Sequence, residues 1–219
     1  PIDAIAGTSM GAVVGGLYAA GLSGDEIERV FRELDWQEMI RDRAPRRERA
    51  YRRKQDDRNI LAKGALGVNT SNGVVLPLGL VQGPTITQVM RDATVRVADV
   101  QDLHGSPRPF RALATDLETG EAVVMGQGDL VTVLRASMSA PGVLTPVEMN
   151  GRLLVDGGLV DNLPVELAQS MGVDRLIVVD VSFPLARRDG LGSAFDITNQ
   201  MVGIMVRRGT LESKQHLQP

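Results

Sequence analysis

Residues 2–21, IDAIAGTSMGAVVGGLYAAG, constrain the fold more than any other part of this chain. A short apolar run of strand type, residues 2–6, ends at Gly7. From Met10 a long segment of small apolar residues reads as a buried helix, with Gly21 as its C-cap. Strand, sharp turn and helix therefore follow one another directly, and Ser9 sits at the turn. Gly7, Ser9 and Gly11 together make GxSxG. Side chains at positions 7 and 11 are expected to collide where strand and helix approach this closely. A serine between such a strand and helix occupies a strained elbow that exposes its hydroxyl. The free amides of the helix N-terminus face developing negative charge, and the Met10 N–H is a candidate oxyanion donor. In the blander reading Ser9 is a helix N-cap and the glycines only permit close packing, and the two readings can coexist. A phosphate loop fits less well. GxGxxG from Gly7 would need glycines where Ser9 and Ala12 stand, and the spacing from Gly11 to Gly16 is followed by Leu17 instead of Lys.

The rest of the chain alternates in the same way. Ser23 and Glu26 form a capping-box pattern that opens an amphipathic helix. Residues 85–100 return to helical periodicity with Thr85 as a cap, residues 129–140 read as another helix stopped by Pro141 and Gly142, and residues 163–172 as a short one with Pro164 in its first turn. Residues 109–117 and 121–126 alternate as a hairpin, and a second hairpin around Asn150-Gly151 calls for a type I′ turn and delivers Asp156 to a strand end. Residues 174–182, DRLIVVDVS, read as a buried parallel strand. Residues 60–84 are rich in Gly and Pro and read as an irregular excursion. Residues 212–219 read as a frayed tail. No linker or repeat divides the chain, so 1–219 is expected to be a single α/β domain.

Composition narrows the function classes. Apolar residues make up 43% of the 219 but aromatics only 3%, so the core is built from Ala, Val, Leu, Ile and Met. A formal charge of -3 argues against a nucleic-acid binder. The absence of cysteine removes disulfides, thiolate metal sites and cysteine nucleophiles. No metal or other cofactor is implied. Residues 41–55, RDRAPRRERAYRRKQ, carry eight basic residues against two acidic ones. They suit an anionic membrane surface, with Tyr51 at the interface, or simply a solvated face. Val74, Val75, Leu76, Leu78, Leu80 and Val81 are candidates for an acyl-chain groove or for core.

A serine hydroxyl needs a base, and His is the usual one. His104 lies in a loop and His216 in the polar tail, settings better suited to solvated histidines than to a rigid imidazole. Asp156, in LLVDGGLVDN, follows an apolar strand and precedes Gly157 and Gly158, which let backbone or substrate come close. It is the best-placed base, with Asp161 and Asn162 as second candidates. A turn cap or a partner for an arginine is its plainer reading.

With GTSMG, DGG, ATDLETGE and RASMSAPGVLTPV in this order, the chain resembles the patatin-like phospholipases over nearly its whole length. The resemblance implies a three-layer α/β/α fold with a mainly parallel central sheet, Ser9 as nucleophile and Asp156 as general base. It implies acyl-enzyme hydrolysis of phospholipid or other fatty-acyl esters, without a cofactor. Gly7, Gly11, Gly157 and Gly158 would support the two motifs. The family's glycine-rich oxyanion loop, GGGxRG, would stand upstream of the serine. The sequence does not contain it, so the domain reads as N-terminally truncated, and the 219 residues by themselves are expected to have weak or no activity. YRRKQDD, PLGLVQG and PFRALATDLETGE resemble the bacterial members fused to an outer-membrane barrel. That implies a cell-envelope or secreted protein, with a cytoplasmic one as the alternative, and is compatible with a homodimer. The contrasting function is a non-catalytic lipid- or anion-binding module on the same fold.

Overall fold

The structure is a computed structural model and describes residues 2–34, 67–69, 73–75, 79–81, 83–105 and 108–217. The basic stretch 41–55 and the side chains of residues 74–81 lie outside them.

The opening residues form strand β1 (Ile5–Thr8) and helix α1 (Met10–Ala19), closed by Gly21 at φ 101° with the Leu22 N–H bonded to the Leu17 carbonyl. Helix α2 (Gly24–Glu33) begins at the expected capping box, in which Ser23 and Glu26 satisfy each other's amides. Short strands β2 (Gly67–Asn69) and β3 (Gly73–Val75) pair with each other, and β4 (Gly79–Val81) pairs in parallel with a later strand. Helix α3 (Pro84–Ala93) starts earlier than expected, because Pro84 at its first position supplies the preset φ of a helix start. Gly83 is the N-cap, so Thr85 lies inside the helix. It also ends earlier, giving way to a single 3-10 turn at Val95–Val97.

Strands β5 (Phe110–Asp116) and β6 (Ala122–Met125) form the first expected hairpin. Asp129 caps helix α4 (Leu130–Ser137) by accepting the Thr132 N–H at 3.0 Å. After α4 come β7 (Gly142–Leu144), which pairs with β4, then β8 (Val147–Met149) and β9 (Arg152–Asp156). The last two form the second hairpin, whose turn has Asn150 at φ 53° and Gly151 at φ 74°, the signs that a type I′ turn requires. Helices α5 (Val165–Gln169) and α6 (Ala194–Gln215) complete the chain.

Phe110, Ala112 and Ala114 turn one face of β5 toward α1 and α4, where they join Leu17, Val133, Leu134 and Leu154 in the main core. A Cβ on Gly16 would come within 2.7 Å of Leu134 Cδ2 and 3.3 Å of Phe110 Cζ, so the small residues of α1 make room for the large ones facing them. The alternate residues face the other way, and Arg111 reaches Ser170 Oγ beyond α5 at 3.4 Å. α5 packs on β1 and α6, which completes an α/β/α layering.

The sheet is mixed. In the five-stranded sheet β1 and β5 run parallel, while β5–β6, β5–β9 and β8–β9 are antiparallel. The parallel strand expected at residues 174–182 is not formed. No described strand offers it a ladder, and Ile177, Val179 and Val181 are exposed. Nor are residues 212–215 frayed. α6 runs through Gln215 from a capping box formed by Ser193 and Asp196.

Candidate active site

Strand β5 organises the site. β1 pairs with residues 110–113 of β5, β9 with 114–116, and β6 with 112–115. Because β6 overlaps both of the others, β1 and β9 must share the opposite edge of β5. They run toward each other along it, β1 parallel and β9 antiparallel. Thr8 lies opposite Leu113 and Asp156 opposite Ala114, so the last residues of the two strands meet where the strands end. Ser9 and Asp156, 147 positions apart in sequence, are thereby brought into contact.

The Ser9 hydroxyl donates to Asp156 Oδ2 at 2.6 Å, the length of a charge-assisted O–H···O bond. The Ser9 backbone has φ 53° and ψ -123°, a sparsely populated region that costs a non-glycine residue on the order of 1–3 kcal/mol. Ser9 is the N-cap of α1 by position, its carbonyl accepting the Val13 N–H at 3.1 Å, but its side chain makes no cap bond, so the hydroxyl is left for Asp156. Gly7 permits the elbow, since a Cβ there would lie 2.7 Å from the Gly11 carbonyl oxygen and 2.8 Å from the Ala12 backbone. At Gly11 the expected collision is absent: a Cβ would meet nothing within 4 Å, because this residue opens onto solvent.

Asp156 is held on every side. Its N–H donates to the Ser139 carbonyl at 3.0 Å, its carbonyl accepts from Thr115 Oγ1 at 2.9 Å, and its Oδ1 accepts the Gly158 N–H at 2.8 Å. Gly157 lies under β5, and a Cβ there would come 2.2 Å from the Leu113 oxygen. Burial pushes the Asp156 carboxyl above its ordinary value of 3.8, against the opposing pull of the bonds from Ser9 and Gly158. The Met10 N–H opens α1 in the turn where amides have no intrahelical acceptor, beside the Ser9 hydroxyl.

The other candidates are engaged elsewhere. Asp161 Oδ1 accepts from Ser213 Oγ at 2.8 Å and from the Leu163 N–H at 3.1 Å. Asn162 Nδ2 donates to Ser182 Oγ and Thr210 Oγ1, both at 3.3 Å. His104 lies in a 3-10 turn and lines a cavity floored by Met125 and Leu154, and His216 Nδ1 lies 3.2 Å from Glu166. Among the described residues no group of three His, Asp or Glu side chains could hold a metal ion.

Sequence reasoning missed the polar residues at the end of α4. Ser137 and Ser139 are completely buried, and Ser137 Oγ accepts the Ser9 N–H at 2.9 Å. The available signal was two serines spaced by one residue in an otherwise apolar helix end. A narrow cleft lined only by apolar residues, among them Met10, Val13, Leu17, Ile86, Met90 and Met138, opens beside the elbow between α1, α2 and α3.

Residues 1–168 match the family model described as patatin-like phospholipase. The chain is 34% identical over 181 residues to an uncharacterized NTE family protein of Mycobacterium tuberculosis, covering 83% of this chain and 41% of that protein. It is 30% identical over 183 residues to patatin-like phospholipase domain-containing protein 7 of Rattus norvegicus, covering 83% of this chain and 11% of that protein. A second Mycobacterium tuberculosis NTE family protein is 27% identical over 204 residues, with 86% and 33% covered. The chain thus spans about two fifths of the length of the mycobacterial relative it matches at 34%.

Proposed function

Since the chain belongs to the patatin-like phospholipase family, we propose that it hydrolyses fatty-acyl esters of lipids with Ser9 as nucleophile and Asp156 as general base. The 2.6 Å bond between the Ser9 hydroxyl and Asp156 Oδ2, made from a strained elbow at the start of a helix, carries this reading. Asp156 takes the hydroxyl proton as Ser9 Oγ attacks the ester carbonyl carbon, and the Met10 N–H faces the oxygen that becomes negative. Collapse breaks the ester C–O bond. The departing alcohol receives the proton from Asp156, and an acyl-Ser9 ester remains. Asp156 then accepts a proton from water as the water attacks the acyl carbon, and returns it to Ser9 Oγ as the acid leaves.

The raised pKa of Asp156 suits this double duty, because a more basic carboxylate is a better acceptor. The cleft beside Met10 is lined by apolar residues alone, but at about 20 Å³ it admits an acyl chain only if α1, α2 and α3 move apart. The basic stretch 41–55 is read as an anchor to an anionic bilayer, and liposome binding that ignores salt would overturn this.

The experiment uses the full-length protein with a fluorophosphonate probe and a fatty-acyl ester. The native protein labels at Ser9. Ser9→Ala and Asp156→Asn each lose at least about 10³-fold in turnover while keeping the native fold by circular dichroism. Full turnover in either variant removes the dyad, and failure of Ser9 to label at any pH would leave a non-catalytic lipid- or anion-binding module.

A further inference from the structure

Ser137 is the last residue of α4 and is completely buried. Its hydroxyl donates to the Leu113 carbonyl at 2.7 Å and accepts the Ser9 N–H at 2.9 Å. Leu113 offers only an acceptor, so the hydroxyl proton must point to it, and a lone pair is left for the Ser9 amide. Both ends of this bridge matter to the elbow. Leu113 is the register partner of Thr8, the residue just before Ser9, whereas the Ser9 N–H is the first amide past the β1–β5 ladder. The Ile5 N–H bonds to the Pro109 carbonyl, and by the same step along the ladder the Ser9 N–H falls to the Leu113 carbonyl. The Ser137 hydroxyl stands between the two, taking the amide and donating to the carbonyl.

Two residues on, the Ser139 carbonyl accepts the Asp156 N–H at 3.0 Å. Ser139 is fixed in turn, since its hydroxyl donates to the Arg135 carbonyl at 2.7 Å and accepts from the Arg135 guanidinium, which also reaches the Thr145 carbonyl at 3.1 Å. One short stretch, 137–139, therefore holds the amides of both Ser9 and Asp156.

We propose that Ser137 is a positioning residue of the hydrolysis: its hydroxyl holds the Ser9 backbone in the strained elbow and so delivers Ser9 Oγ to Asp156. The proposal rests on the reading of Ser9 as nucleophile. Without the hydroxyl, the half-buried Ser9 N–H and the Leu113 carbonyl lose the group that bridges them, and the elbow relaxes toward a backbone conformation that withdraws Oγ from the carboxylate.

The test compares Ser137→Thr with Ser137→Val in the full-length protein. The two side chains have nearly the same volume and differ in the hydroxyl, so any cost of the added bulk is shared. Three measurements are made: kcat and KM on a fatty-acyl ester, the rate of Ser9 phosphonylation by a fluorophosphonate with loss of fluoride, and the Ser9 torsions in crystals. The Val variant is expected to be slower than the Thr variant by about 10- to 100-fold in kcat and in phosphonylation, with KM within about twofold. Its Ser9 φ should leave the positive region, while Thr keeps it. Equal kcat in the two variants, or a loss confined to KM, overturns the proposal. If the native protein does not label at Ser9, the catalytic reading fails, and the torsions alone decide whether Ser137 sets the elbow. If neither variant folds, hydrogen exchange of the Ser9 amide in the native protein decides: protection supports the bridge, and exchange at the rate of an open amide removes it.

Discussion

At Asp156 two effects compete, and burial wins. The bonds from Ser9 and Gly158 favour the carboxylate, yet the folded-state pKa lies above the ordinary 3.8. The proposed dyad needs the carboxylate, so the acid limb of kcat/KM is expected with its midpoint above 3.8, and a midpoint at or below that value would contradict it. The stability consequence has the opposite sign to the usual aspartate. A raised folded pKa contributes stability that is complete below the unfolded value and is lost as pH rises through the folded one. Asp156→Asn should therefore unfold no lower than the native protein at neutral pH, and its advantage should shrink as pH falls toward 3.8, which thermal melts across that window would measure. Ser9 was legible in the sequence because strand, glycine and helix surround it, and Asp156 because no histidine stands in a rigid setting. Ser137 was not legible. Its hydroxyl acts on a residue 128 positions away, and only the packing of α4 against β5 brings the two together.

At the scale of elements, the two glycines of GxSxG separate. A Cβ on Gly7 would press on backbone atoms of α1 at 2.7–2.8 Å, and neither strand nor helix can yield there without moving Ser9. Gly7→Ala should cost about 1–3 kcal/mol, or a few degrees in Tm, and should slow Ser9 acylation. Gly11 is helical and meets nothing, so Gly11→Ala should instead raise stability by up to about 1 kcal/mol, a gain that urea melts would read as a higher midpoint at unchanged slope. A loss of stability in that variant would mean that the helix N-terminus is packed more closely than the structure has it. Local chemistry made several elements readable: the capping box at Ser23 and the Asn150-Gly151 turn are short-range signals. Direction along the sheet was not. Whether β9 runs with or against β5 depends on the hairpin with β8 and on the edge that β1 leaves free, neither of which apolar composition records.

Over the whole molecule, the same limit explains the largest departure from expectation. Residues 174–182 have the composition of a buried strand, but burial also needs a ladder and a covering layer, and the described residues provide neither. Ile177, Val179, Val181 and Phe183 are 86%, 73%, 65% and 89% exposed, all on alternate positions, which leaves an apolar edge with open amides. On α6, Ile197, Met201, Ile204 and Met205 are also exposed. A net charge of -3 offers little repulsion against association through such a surface. The 219-residue chain is therefore expected to self-associate as its concentration rises, with sedimentation showing a growing mean mass. Replacing both Ile177 and Val181 with Lys should suppress this while shifting the unfolding free energy by no more than about 0.5 kcal/mol, because both side chains point into solvent. Ser9 labelling should be unaffected, since the elbow, β5 and α4 form without this segment. A double variant that unfolds would instead place these side chains in a packed interior. One that folds but associates as before would shift the apolar contact to the exposed face of α6.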